Sequence, residues 1–131
     1  MSGGILAAMA TLMTPEQLAT YQETCRRKAA EAVEQRRRRA DAALRLARQA
    51  AEVLRSEFGA TDVYLFGSLA EGAPFGAHSD IDLAARGLGD AHYKALGRLL
   101  SLSRDFEFDL VDLDSCAEGL REAVVAQGVT L

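Results

Sequence analysis

No stretch of this 131-residue chain approaches the roughly 20 consecutive apolar residues of a membrane-spanning helix, so no membrane attachment is expected. Cysteine is equally scarce. Cys25 and Cys116 lie far apart and share no ligand-like spacing with His78 or His92, which argues for two free thiols rather than a disulfide or a zinc site. Residues 1–13 are mildly apolar but lack the basic start and cleavage-site context of a secretory signal, and are expected to form a disordered leader on a soluble, cytoplasmic protein. Arginines are plentiful, yet they are not interleaved with aromatics in the way that stacks nucleic-acid bases.

What is present describes a globular protein. The hydrophobic fraction is 49% and the charged fraction 26%, and the length suits one domain plus an appendage. The net charge of −4 conceals an asymmetry: residues 26–48 carry nine basic side chains against three acidic ones, so the rest of the chain is strongly acidic. A basic arm is compatible with nucleic-acid contact, but Glu and Arg at helical spacing more simply make a solvated helix face.

Nothing after Pro15 interrupts helix formation as far as Phe58. Thr14 can act as N-cap, Pro15 as the first helical residue, Glu16 as a first-turn acid and Gly59 as a left-handed C-cap. From residue 40 onward Leu44, Ala47, Ala51, Leu54 and Phe58 form an apolar stripe, widened by Leu46, Ala50 and Val53, that should pack on a sheet. Before residue 39 the stripe thins to Leu18, Tyr21, Cys25, Ala29, Ala32 and Val33, so this half should pack on a partner, on a second copy of the chain, or on the chain folded back on itself. The expected organisation is a leader at 1–13, a helical extension at 14–39 and a body at 40–131.

The stretch with chemical content is residues 65–83. Asp62–Phe66 reads as a strand, ended by Gly67-Ser68; glycine lets the backbone approach a ligand and serine offers a hydroxyl, a combination suited to phosphate. In Ser79-Asp80-Ile81-Asp82-Leu83-Ala84, the alternation of a strand puts Asp80 and Asp82 on one face and Ile81 and Leu83 on the other. Carboxylates so placed repel each other unless a cation neutralises them, and magnesium takes oxygen ligands of this kind together with substrate phosphates. A calcium EF-hand loop starting at Asp80 is excluded, because its sixth and twelfth positions are Ala85 and Ala91 instead of glycine and glutamate. His78 is expected to be an exposed loop histidine.

Gly67-Ser68, Gly72 and Ser79-Asp80-Ile81-Asp82-Leu83 together resemble the signature of the nucleotidyltransferase superfamily of DNA polymerase β type, and within it the minimal nucleotidyltransferase (MNT) group. The resemblance covers roughly residues 40–131. It implies an α+β fold with a small mixed sheet flanked by helices, binding of a nucleoside triphosphate such as ATP with two Mg²⁺ ions, and nucleotidyl transfer to an acceptor hydroxyl. It further implies an antitoxin that places AMP on a protein partner, a HEPN-type toxin. Two departures stand out: Glu71 occupies a position where most members carry arginine, and the loop from Leu69 to Ser79 is about one residue longer than the family's usual spacing.

After the acids, Gly87 and Gly89 should end the second strand, and residues 91–102 read as a helix with Tyr93, Leu96, Leu99 and Leu100 inward. A third strand is expected over residues 106–113, with Phe106, Phe108 and Leu110 on its buried face; Ser115 should then cap a helix over 117–126, and residues 128–131 should add a short strand. Asp109 lies on the polar face of the third strand, whereas Asp112, three residues on, faces the other way. The family pattern also puts its third acid at the first aspartate of such an Asp-Leu-Val-Asp stretch. The expected site is therefore Gly67 and Ser68 for the triphosphate and Asp80, Asp82 and Asp109 for metal and catalysis. Two rival functions fit the same residues: a catalytically weak module that neutralises a partner by contact, with Glu71 and the longer loop the motivating features, and an adenylyltransferase of a small hydroxylated molecule.

Overall fold

The computed structural model describes residues 12–72, 75–76 and 79–131. Most of the expected leader and His78 lie outside the described residues. The chain divides into two compact units, the first ending at Gln35 and the second covering Arg36–Leu131. Among the described residues no helix is long and apolar enough to cross a membrane.

Helix α1 runs over Pro15–Phe58. Its start is a reciprocal capping box: the Gln17 amide donates to Thr14 Oγ1 at 3.1 Å, and the Thr14 amide donates to Gln17 Oε1 at 3.0 Å. Its end is Gly59, at φ 71°, whose amide donates to the Arg55 carbonyl. Within the first unit none of the thin-stripe residues is buried, and Val33 is 63% exposed. A helix face of that kind gains little from its own unit, because hydrophobic stabilisation scales with apolar area removed from water.

In the second unit the chain continues as β1 (Asp62–Phe66), the single-turn α2 (Ser68–Glu71), β2 (Ile81–Arg86), α3 (His92–Leu100), β3 (Phe108–Asp112), α4 (Glu118–Gln127) and β4 (Val129–Thr130). The sheet order is β3-β2-β1-β4. β1 pairs antiparallel with β2 and with β4, while β2 and β3 run parallel, so the sheet is mixed. Alternation sends Val63, Leu65, Ile81, Leu83, Ala85, Phe108 and Leu110 into one core with α1 and α3. The opposite face carries a smaller cluster of Ala84, Leu113 and Val124, flanked by Tyr64, Phe66, Val111 and Cys116, beneath α4.

The packed stripe of α1 differs from expectation in its centre. Ala43, Ala47, Ala50, Ala51 and Leu54 are the buried residues, and Leu44, Leu46, Val53 and Phe58 flank them. Small side chains at the centre let the helix axis approach the sheet closely. In α3 the inward set is also shifted: Ala95 and Leu99 are buried, whereas Tyr93 is 83% and Leu100 46% exposed. His92 lies on the same face, its Nε2 2.5 Å from the Leu110 carbonyl, so the first residue of the helix is turned toward β3. Ser115 does not cap α4; its hydroxyl donates to Asp112 Oδ2 at 3.1 Å, inside a turn that follows β3. Both flanking strands are also shorter than expected, since β2 starts at Ile81 and β3 at Phe108.

The division at Gln35 carries a prediction. A chain starting at residue 36 should retain the far-ultraviolet circular dichroism of a mixed α/β protein and the nucleotide affinity of the full chain, because the buried stripe of α1 begins at Ala43. Insolubility, or lost nucleotide binding, would show that the first half of α1 belongs to the body.

Candidate active site

The site is built at one end of the sheet face that carries α4. β1 runs into Gly67, which stands at φ 76° and ψ −158°, a conformation that L side chains rarely adopt. One turn of helix follows, closed by Gly72 at φ 70°. The backbone thereby folds over β2, where Asp82 is the register partner of Phe66 on one side and of Asp109 on the other. Parallel in-register pairing on strands about 4.8 Å apart puts Asp82 and Asp109 side by side on the same face. Asp80, two residues before Asp82 and just outside β2, shares that side by alternation.

The electrostatics follow from this crowding. Asp82 is half-buried, and its carboxyl titrates above the usual carboxylate range, chiefly because burial disfavours the charge and then because Asp109 and Asp80 add negative potential. Asp80 and Asp109 are themselves exposed. Among the described residues no group of three or more His, Cys, Asp or Glu side chains forms a ready metal-binding cluster. The three carboxylates share a face and a field without closing into a chelate. Their chemistry nevertheless suits a hard divalent cation, since all the donors are carboxylate oxygens and the cluster carries an uncompensated repulsion that a cation would relieve.

Gly67 is tied to this cluster by space as well as by conformation. A Cβ at that position would fall 2.2 Å from Asp82 Oδ2, 3.1 Å from Cγ and 3.3 Å from Cβ. The absent side chain of Gly67 is the room in which the Asp82 carboxylate stands. Ser68 follows as the first residue of α2, and Glu71, exposed, closes the same turn. A small cleft of about 150 Å³, lined by Phe66, Gly67, Glu71, Leu120, Ala123, Val124 and Gln127, opens beside it toward α4.

A larger open cleft of about 540 Å³ lies between the start of α3 and the end of β3, and it shares no residue with the acids. Its size does not make it the reactive site, because no repelling acid cluster converges there. Asp112, which lines it, is occupied in the turn: Oδ1 accepts the Asp114 amide at 3.0 Å and Oδ2 the Ser115 hydroxyl.

Two features were not anticipated from the sequence. The contact between Gly67 and Asp82 required the β1–β2 register. The other is Arg39, whose guanidinium donates to the Gly76 and Asp105 carbonyls; it has a signal, because continuing the buried stripe of α1 one turn back from Ala43 lands on an arginine.

A family model described as "Polymerase beta, Nucleotidyltransferase" matches residues 48–131. Among solved structures, a toxin–antitoxin with AMP-PNP is 31% identical over 64% of this chain and 70% of that one, at a TM-score of 0.55. A tri-AMPylated HEPN toxin of Shewanella oneidensis in complex with an MNT antitoxin is 29% identical over 67% and 70%, at 0.51. A protein provisionally described as a minimal nucleotidyltransferase is 28% identical over 75% of this chain and 94% of that one, at 0.51. No curated protein matches.

Proposed function

Because the chain belongs to the polymerase beta nucleotidyltransferase family, we propose that it is an MNT-type antitoxin that transfers AMP from Mg-ATP to a hydroxyl of a HEPN-type toxin. The observation that carries this reading is the placement of Asp82, held between the Gly67 backbone and Asp109 with Asp80 alongside. Two of the similar structures are toxin–antitoxin assemblies, one holding AMP-PNP and the other a tri-AMPylated toxin. A cytoplasmic location goes with such a role.

In this reading Asp80, Asp82 and Asp109 would hold two Mg²⁺ ions, which supply charge neutralisation of the phosphates and lower the pKa of the attacking hydroxyl. Gly67 lets the main chain come close to the triphosphate, and the Ser68 hydroxyl donates to a phosphate oxygen. Asp109 stands on an outer strand and is exposed, so an acceptor can reach it. The acceptor oxygen attacks the α-phosphorus, the bond between the α-phosphorus and the bridging oxygen breaks, pyrophosphate leaves, and the hydroxyl proton passes to an Asp109 oxygen. About 90 residues make the body, so the acceptor brings much of its own binding surface. Residues 14–39 serve as the docking extension, for the toxin or for a second copy of the chain, and residues 40–131 as the catalytic body.

Glu71 supports one second reading, in which contact alone neutralises the partner. An acid in the turn that follows Gly67 repels a triphosphate, where a cation would attract it. The two readings separate on incubation with magnesium, labelled ATP and the product of the neighbouring gene. Label on that product, with a mass increase of one or more AMP groups, is expected. Binding of the product without label, under conditions that saturate Mg-ATP, would select the contact-only module. Label on an RNA or a small-molecule alcohol instead would keep the nucleotidyltransferase and reject the antitoxin.

A further inference from the structure

We propose that Arg39 is a positioning residue for the acid cluster: its guanidinium pins together the two chain segments that lead into β2 and β3, and so sets how Asp82 and Asp109 face each other. The inference rests on the reading of those acids as metal ligands.

Arg39 is half-buried on the sheet-facing side of α1, one turn before Ala43. Its Nε donates to the Gly76 carbonyl at 3.1 Å, and its Nη2 donates to the Asp105 carbonyl at 2.9 Å. The guanidinium carbon lies 4.3 Å from the centroid of the Phe106 ring and 5.9 Å from that of Phe75, and those rings stand 6.1 Å apart. One planar cation therefore holds a carbonyl and a ring from each of two segments.

Each segment leads directly to an acid. Gly76 is bonded both ways to Ser79: its amide donates to Ser79 Oγ at 3.0 Å, and its carbonyl accepts the Ser79 amide at 3.2 Å. Asp80 follows at once. On the other side Phe106 precedes Glu107, whose carbonyl accepts the Ile81 amide at 2.9 Å and so begins the β2–β3 ladder. The next residues up that ladder are Asp82 and Asp109, in register. Two like charges held side by side tend to push these strand ends apart, and a clamp at the foot of both strands opposes that motion.

The fork geometry is the part that lysine cannot copy. A lysine ammonium can sit over Phe106, but a single point charge does not reach two carbonyls that the guanidinium meets with two different nitrogens. These contacts of Arg39 run to carbonyls and rings, and its effect on the acids should appear in cation affinity. The test is a Mn²⁺ titration of the full chain, followed by electron paramagnetic resonance, on the wild type, Arg39→Met, Arg39→Lys and Asp82→Asn. Both Arg39 variants are expected to weaken Mn²⁺ binding about tenfold, the lower end of what groups supporting metal ligands contribute. They should also raise the Mg²⁺ concentration for half-maximal transfer more than they lower kcat at saturating Mg²⁺. If the Met variant fails to fold, the Lys variant is read by the same criterion. A lowered melting temperature with Mn²⁺ affinity within twofold of wild type would overturn the proposal and leave Arg39 as packing alone. Full affinity in Arg39→Lys would also overturn it, because the fork would then be dispensable. Unchanged Mn²⁺ affinity in Asp82→Asn would instead sink the metal-ligand reading, and this inference with it.

Discussion

Replacing Asp82 by asparagine is expected to lower nucleotidyl transfer by about 10²–10³-fold, the range seen when a single charge-stabilising group is removed from an active site, and to raise the melting temperature of the metal-free protein at neutral pH. The two effects have one cause. Asp82 is half-buried against the Gly67 backbone and lies in the negative potential of Asp109 and Asp80, so its proton is held more tightly in the folded protein than in the unfolded chain. Its ionisation therefore opposes folding. The cost is absent at acid pH, where the group is protonated in both states. It appears as the pH rises through the ordinary aspartate range and is complete above the raised folded-state value.

Wild type and Asp82→Asn should thus converge in stability at acid pH and separate toward neutrality, with the variant the more stable. Saturating Mg²⁺ should close that gap from the other side, because a cation bound to the native carboxylates stabilises the wild type by mass action and the variant much less. Thermal melts across pH, with and without Mg²⁺, read both trends. A variant less stable than wild type at neutral pH without metal would mean that the Asp82 carboxylate serves the fold, and the proposed role would fall.

Strand alternation was the most informative feature available from the sequence. It placed Asp80 and Asp82 together with Ile81 and Leu83 opposite them, separated Asp109 from Asp112, and put Phe108 and Leu110 on the buried face of β3. The long helix was equally plain, because Thr14-Pro15 and Gly59 delimit a span with no breaker. What escaped was whatever depended on tertiary choice. In α3, apolar stripes one residue apart compete, and packing on the sheet takes the one through Ala95 and Leu99, on the face where His92 meets the Leu110 carbonyl, over the one through Tyr93 and Leu100. In α1 the large residues drew attention to the flanks, while alanines mark the line of closest approach. The Gln17 half of the capping box was present in the sequence at the correct spacing after Thr14 and was passed over. Gly67 is expected from the sequence to give room for a phosphate, and the register makes it room for the Asp82 carboxylate as well.

That last point makes Gly67→Ala the second large prediction, with a control inside the same turn. Gly67 and Gly72 both stand at positive φ, 76° and 70°, but their ψ values differ, −158° against 14°: alanine at Gly72 carries a left-handed strain of about 1–2 kcal/mol, whereas Gly67 occupies a region that is essentially glycine's alone, at a cost of up to about 3 kcal/mol. They differ in surroundings. No described atom lies within 4 Å of a Cβ built at Gly72, whereas at Gly67 the carboxylate of Asp82 is already there at 2.2 Å. The obstacle is the far end of a rotatable side chain, so the clash itself can be relieved by swinging the carboxylate away, and that part of the damage falls on the site. Gly67→Ala should therefore melt below Gly72→Ala, and it should also lose Mn²⁺ binding and about 10²-fold of transfer while Gly72→Ala keeps most of both. A double-mutant cycle isolates the contact: in an Asp82→Ala background the carboxylate is gone, and Gly67→Ala should cost less stability than in the wild type. An equal stability cost of Gly67→Ala in the two backgrounds would mean that backbone strain alone governs this turn, and that the packing of Gly67 on Asp82 does not hold the site.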